Sequence, residues 1–423
     1  MEHKKRSKKH IKIHQKYIKL HNASRSIAPV MFRITFIMLF FAIVFLIVLF
    51  ARGYRIDFEK RTILPTGILA ISSSPKAAKV YLNGEFKGVT DVNLTLPPGS
   101  YTVEIKKDGY QSFQKTLSLK GELVEAIDPV LFPVNPSLSP VTNLGIVKAI
   151  QVNESDRIIL FSDKDSLEHD GIYLFDAAKK TLSFFPPLKL IVLKQNLPQG
   201  VSLKDASVTF SYDFKQAIFD FSVANGQPVS YLMSLEEDNT NFLDVTNNKQ
   251  VLIEAWAKER RKEELKVLET FKKEVSQIAS DSFQIVAFSP DQTKVMYKSQ
   301  RNITLPLVIK PPLIAANQTP EDRNLRVGNL YIYDSKEDKN FKIGSSDFDI
   351  STIHWYADSK RLVFNETTQL AISLYDGQNK QTVYSGPIER AFFGVSSDGR
   401  LLILANLNPL SNRLPDIYSV GIR

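Results

Sequence analysis

Beyond the first fifty residues the sequence offers few groups able to make or break bonds. Cysteine is absent, and of six histidines only His169 and His354 lie past residue 51. A Ser-His-Asp hydrolytic set would have to use one of these two. Neither stands in a nucleophile context, and the sequence contains no Gly-x-Ser-x-Gly elbow, phosphate loop, dinucleotide fingerprint or zinc motif. Acids crowd at Asp163, Asp165, Glu168 and Asp170 around His169. Calcium loops need such crowding, but Gly171 falls too late for the EF-hand spacing, so a solvated acidic loop is expected. His3, His10, His14 and His21 stand among lysines that repel a cation. No carboxylate pair is marked out for glycoside hydrolysis, whose geometry is a tertiary matter. The expectation is therefore no catalytic, cofactor-binding or metal-binding residue, and a protein that works by binding.

The elements that would position a binding surface begin with residues 34–51, an 18-residue run without a charged side chain between Arg33 and Arg52. As a helix it rises about 27 Å, close to the roughly 30 Å hydrocarbon core of a bilayer. Residues 1–33 carry ten Lys or Arg and one acid, leaving 44 basic and 44 acidic residues beyond Arg33, so the net charge of +9 belongs to the tail. Positive flanks stay cytoplasmic, which places residues 52–423 outside. The apolar run exceeds a usual signal-peptide core, and Phe50-Ala51-Arg52-Gly53-Tyr54 offers no small-x-small cleavage site, so an uncleaved single-pass anchor is expected. Lys4, Lys5, Arg6, Lys8, Lys9 and Lys12 are expected to contact anionic lipid rather than nucleic acid, each contributing about 1 kcal/mol near such a leaflet. A chain without cysteine must hold its outer part by burial and hydrogen bonds, which suits a bacterial envelope.

After a juxtamembrane stretch at 52–66, residues 67–133 read as short strands between strong turn signals. Asn83-Gly84 predicts a type I′ hairpin, Pro98-Gly99 and Asp108-Gly109 mark further turns, and Tyr101, Val103 and Ile105 alternate onto one face. Ser74-Pro75, Val80-Tyr-Leu-Asn-Gly84, Gly88-Val-Thr90, Pro97-Pro-Gly99, Tyr101 and Lys107-Asp-Gly-Tyr110 follow in order. This segment resembles the PEGA family, which implies a small, non-catalytic all-β module outside the membrane. It departs from the family at Lys76-Ala77, where a Glu-Gly pair is usual, and at Asp91, where a Pro is usual.

Pro136, Pro140, Ser137 and Ser139 mark 134–144 as a linker. Beyond it, at 145–423, a turn with an Asp recurs before an apolar strand at Asp156, Asp213, Asp291, Asp358 and Asp398, and a Tyr-bearing strand follows most copies. A repeated unit that cannot close its own apolar face stacks on its neighbours, here as a β-propeller of five or six blades. The pattern resembles TolB-like and WD-type propellers, best at Phe288-Ser-Pro-Asp291. In such turns the Asp caps the hairpin. An irregular sandwich is the alternative architecture.

Two insertions interrupt the repeat. Residues 251–280 have a helical stripe at Leu265, Leu268, Phe271, Val275 and Ile278, with Glu254/Lys258 and Glu269/Lys273 spaced for i,i+4 pairing. Residues 300–327 form a long apolar, proline-rich loop. The expected partner contacts are Trp256 and Phe271 in the helix and Leu305, Ile309, Arg323 and Arg326 in the loop. The fold class is thus mainly β: one transmembrane helix, a PEGA module, and a propeller with an inserted helix. The expected work is to hold an envelope protein or cell-wall glycan near the membrane. An envelope sensor signalling through its tail and a propeller enzyme acting on glycans are the alternatives.

Overall fold

The computed structural model describes residues 30–51, 54–57 and 62–422, apart from 154, 165–167, 179–186, 225, 238, 315, 390–391 and 411–412. The expected lipid contacts between Lys4 and Lys12 lie outside these residues. Helix α1, Val30–Ala51, is one apolar helix of 22 residues, long enough to cross a membrane. Its side chains are exposed, with Phe32 at 74% and Met38 at 69%. Water would penalise such exposure, whereas hydrocarbon would not.

The chain divides into two compact units. The first holds α1, a two-stranded sheet of Tyr54–Asp57 and Thr62–Pro65, and a three-stranded sheet. In that sheet Gly67–Ile71 lies between Val92–Leu96, antiparallel, and Val124–Ile127, parallel. Tyr54 Oη donates to Glu122 at 2.5 Å, tying the hairpin to the turn before Val124–Ile127.

The second unit contains the hairpin Lys79–Leu82 and Glu85–Val89 together with all residues from 129 onward. Asn83 and Gly84 take φ of 51° and 84°, the left-handed pair that a two-residue I′ turn requires. Ala77 stands where the PEGA pattern carries glycine, yet keeps a φ of 58°.

Five four-stranded antiparallel sheets follow one another. Blade 1 comprises Ile146–Gln151, Arg157–Ser162, Gly171–Asp176 and Leu188–Leu193. Blade 2 comprises Val201–Phe210, Gln216–Val223, Val229–Ser234 and the short Leu243–Asp244. Blade 3 is Phe283–Phe288, Lys294–Ser299, Leu330–Asp334 and Lys339–Gly344; blade 4 is Ile353–Trp355, Arg361–Asn365, Gln369–Leu374 and Gln381–Ser385. Blade 5 has three strands from the C-terminal end, Phe393–Val395, Leu401–Ala405 and Asp416–Gly421. Its fourth comes from residues expected to form a linker: Ser137–Pro140 pairs antiparallel with Asp416–Gly421. A segment preceding blade 1 thus completes the last blade and ties the two ends of the repeat together.

Apolar clusters join blade 2 to 1, blade 1 to 5, blade 5 to 4 and blade 4 to 3. Sequential four-stranded sheets, packed face to face except between blades 2 and 3 and with the last completed by an N-terminal strand, form a five-bladed β-propeller. The Asp-bearing turns precede the second strand of every blade. Asp213, Asp291, Asp358 and Asp398 each accept a hydrogen bond from the backbone N–H two residues on, at 2.8–3.2 Å. Asp156 instead accepts from the Ser397 N–H of blade 5, at 2.7 Å. Other bonds also pass from turn to turn: Asp291 N–H donates to Ser359 Oγ at 3.0 Å, and Tyr356 Oη to Gly399 O at 2.8 Å. These turns therefore also stitch blades 3, 4, 5 and 1 together.

Candidate interaction surface

The two insertions meet on blade 3. The first is not one helix but two, α2 at Lys249–Leu268 and α3 at Lys273–Ser282. Between them Thr270 Oγ donates to Val267 O at 2.7 Å and Phe271 N–H to Leu268 O at 3.0 Å. These short-range bonds divert the i−4 ladder and turn Phe271 into the core. Leu268, Phe271, Val275 and Ala279 share a cluster with Val295, Tyr297 and Tyr331 of blade 3 and with Leu305 and Leu325 of the second insertion. The apolar stripe is therefore spent on packing, and Phe271 and Leu305, at 6% and 1% exposure, are core residues unavailable to a partner.

Helix α2 has a different character. Its internal ion pairs are i,i+3: Lys262–Glu259 at 3.6 Å, Arg261–Glu264 at 3.2 Å and Lys266–Glu263 at 2.7 Å. Glu254, expected to pair with Lys258, accepts from Gln250 at 3.0 Å. The helix reaches blade 2 through polar contacts. Lys249 Nζ meets Asp220 at 2.7 Å, and Arg260 donates to Phe210 O at 3.1 Å while lying 5.7 Å from the Phe214 ring centroid. Burial alone would raise the Asp220 pKa, but hydrogen bonds from Lys249 and Ser230 outweigh it and hold the carboxyl below its ordinary value. At its other end Leu268 enters the blade 3 core, so α2 bridges blades 2 and 3. Trp256 is half-buried on it.

The second insertion is pinned rather than loose. Ile303–Thr304 pairs with Asn324–Leu325. Asp338, with a side chain 1% exposed, forms an ion pair with Arg323 at 3.1 Å and accepts from the N–H groups of Val308 and Ile309 at 2.7 and 2.9 Å. It also accepts from Tyr333 Oη at 3.0 Å, and burial together with this carboxylate pushes the Tyr333 hydroxyl well above its ordinary pKa. Arg323 further donates to Glu321 at 2.9 Å and Pro306 O at 2.6 Å. Farther along, Asp376 of blade 4 accepts from Asn317 Nδ2 at 2.8 Å and Thr319 Oγ at 2.7 Å. Glu337 accepts from Asn317 N–H at 2.8 Å, and burial raises its pKa.

Arg323, expected at a partner contact, thus holds the loop in place, its partly buried guanidinium satisfying its donors within the insertion and blade 3. Ile309 is half-buried with its N–H engaged, while Arg326 is exposed. Sequence reasoning missed Asp338 and Asp376. Both sit in polar turns that look like any other, so no local signal distinguishes them. The surface of the insertions includes the charged flank of α2 and an apolar tip, where Leu313 and Ile314 are 47% and 65% exposed.

Among the described residues no group of three or more His, Asp or Glu side chains is placed to hold a metal. His354 stacks edge-on against Phe393 at 4.6 Å, and the His169 carbonyl accepts from Tyr173 Oη at 2.6 Å. These two histidines lie in different blades.

Comparison with known proteins follows the same division. The PEGA domain profile matches residues 66–131. No curated protein matches the chain. Among solved structures, TolB from Acinetobacter baumannii is similar at 15% identity over 76% of this chain and 60% of that one, with a TM-score of 0.20. A putative TolB from Agrobacterium tumefaciens is similar at 12% identity over 82% and 99%, also at 0.20. An oligogalacturonate lyase in complex with manganese is similar at 11% identity over 79% and 81%, at 0.21. With scores this low, the propeller rests on strand order and closure. The chain carries a PEGA domain at residues 66–131, followed by five sequential four-stranded sheets arranged as a propeller.

Proposed function

We propose that this is a bacterial envelope-associated scaffold, anchored by α1 with its basic tail in the cytoplasm and its propeller outside the membrane. The propeller offers blade 3 and its insertions to an envelope protein or a cell-wall glycan, without catalysis. One observation carries this proposal: two insertions, separated in sequence by a pair of strands, converge on the same blade and are locked there. Blade 4, from Ile353 to Ser385, completes its four strands without any such addition. Long insertions that are ordered rather than loose are where a rigid scaffold places its binding groups. The charged flank of α2 supplies directional contacts, and Leu313 with Ile314 supplies an apolar anchor.

The test is photo-crosslinking in living cells from Lys258, Lys262, Leu313 and Ile314, with the exposed Ser397 of blade 5 as the control. The same partner should be captured reproducibly from the insertion positions and not from Ser397. Equal capture from Ser397, or none from the insertions, removes the assignment. The anchor is tested separately: protease added to intact protoplasts should degrade the propeller, and its survival would place that domain inside.

A further inference from the structure

The stretch from 129 to 140 joins two bodies that the sequence treats as separate modules. On one side it is bonded into the PEGA strands. Ser74 N–H donates to Pro129 O at 3.0 Å, Leu131 N–H to Ser74 O at 2.7 Å, Gln111 N–H to Phe132 O at 2.8 Å and Val134 N–H to Gly109 O at 3.0 Å. Ser74 and Val130 form a parallel bridge, and Tyr110 and Pro133 an antiparallel one. On the other side the Phe132 side chain, 4% exposed, is buried between blades 4 and 5 among Tyr356, Val363, Val383 and Phe393. A few residues later Ser137–Pro140 closes blade 5.

A second contact runs directly from side chains of the PEGA turn to blade 4. Gln111 Nε2 donates to the Thr382 carbonyl on the outer strand of blade 4, and the adjacent Gln381 Nε2 returns a bond to the Ser112 carbonyl at 2.7 Å. The PEGA turn and the blade edge thus exchange side-chain amides reciprocally. The hairpin Lys79–Leu82 and Glu85–Val89, residues 102–115 and the propeller all fall in one compact unit.

We infer that the 102–115 side of the PEGA domain is a fixed bracket of the propeller, clasped by the Gln111–Gln381 exchange and plugged by Phe132, rather than a module on a flexible linker. A flexible linker would let the propeller reorient freely. A bracket fixes which blade edges are covered, so a partner's pull on the propeller is passed into the PEGA strands. This inference does not depend on what the propeller binds or on which side of the membrane it lies.

The test uses the full chain, solubilised in detergent, with a protease recognition sequence inserted between the exposed Asn135 and the half-buried Pro136. After cleavage the two pieces share no peptide bond, and Phe132 stays with the PEGA piece. The expected result is that the cut halves co-elute, and that co-elution is lost with Gln111→Ala plus Gln381→Ala, or with Phe132→Ala. Separation of the cut unsubstituted halves would overturn the inference. So would undiminished co-elution in both variants. Should Phe132→Ala prevent folding altogether, the glutamine pair, which lies at the surface edge, decides alone.

Discussion

Between blades 4 and 5, Tyr356, Val383, Phe393, Leu401 and Val420 pack around Phe132 in a continuous apolar layer. Between blades 2 and 3, α2 spans the gap, held to blade 2 by the Lys249–Asp220 ion pair and by Arg260 on the Phe210 carbonyl. The first seam gains from removing apolar surface from water, which is insensitive to salt and pH. The second depends on partly exposed charges, whose attraction water and ions screen. A ring built this way has strong joints and one weaker one, and the weaker joint lies beside the blade that carries both insertions.

Several measurements would break or sharpen this contrast. The largest effect is expected at the apolar seam: Phe393→Ala removes a buried ring and should cost about 3–5 kcal/mol in urea unfolding. A loss below about 1 kcal/mol would mean that the seam collapses around the gap, and the contrast would fail. Next comes the buried ion pair of the loop insertion. Asp338→Ala removes one of the two carboxylates paired with Arg323 and leaves the Tyr333 hydroxyl and the Val308 and Ile309 N–H groups without their acceptor, and should cost about 3 kcal/mol. Amide exchange should then rise at Val308 and Ile309, whose N–H groups bond to that carboxylate, more than in blade 4.

At the polar seam, Lys249→Ala should cost less than about 1 kcal/mol, and the difference should vanish in high salt. An equal loss at low and high salt would show that burial, not charge, holds α2 to blade 2. The same seam should respond to acid. The folded pKa of Asp220 is lowered, so its contribution is present above the unfolded value of about 3.9 and is lost as pH falls through the folded value. Asp220→Asn should flatten that acid limb, whereas Phe393→Ala should leave its shape unchanged. The smallest effect has the opposite sign. Ala77→Gly relieves a left-handed backbone at φ 58° and should raise stability by about 0.5 kcal/mol, since the relief of roughly 1 kcal/mol is partly offset by glycine's unfolded-state freedom. A loss on that substitution would show that the Ala77 methyl group packs usefully.

Local chemistry made much of the fold legible. The helix Val30–Ala51, the Asn83-Gly84 hairpin and the repeated Asp turns each declare themselves within a few adjacent residues. The Tyr-bearing strands mark the third strand of blades 1 to 3, and of blade 5 once the N-terminal strand is counted as its fourth. The interaction surface was less legible. The apolar stripe of 265–278 is spaced as a partner-binding face would be, and only burial shows that Phe271 points into blade 3. Arg323 is likewise drawn into the loop by Asp338, fifteen residues away along the chain.

The sequence alone determined the elements whose cause is local: an apolar stretch of membrane length, turns that need left-handed residues, and strands that alternate. Only the tertiary structure decided that a proline- and serine-rich stretch becomes the strand Ser137–Pro140, nearly three hundred residues from its partner Asp416–Gly421. It also decided that Gln111 meets Thr382 and that α2 fills the gap between two blades. Strand pairing is carried by backbone groups that all residues but proline possess in full, and such pairing leaves little mark on side-chain identity until the partner is in place.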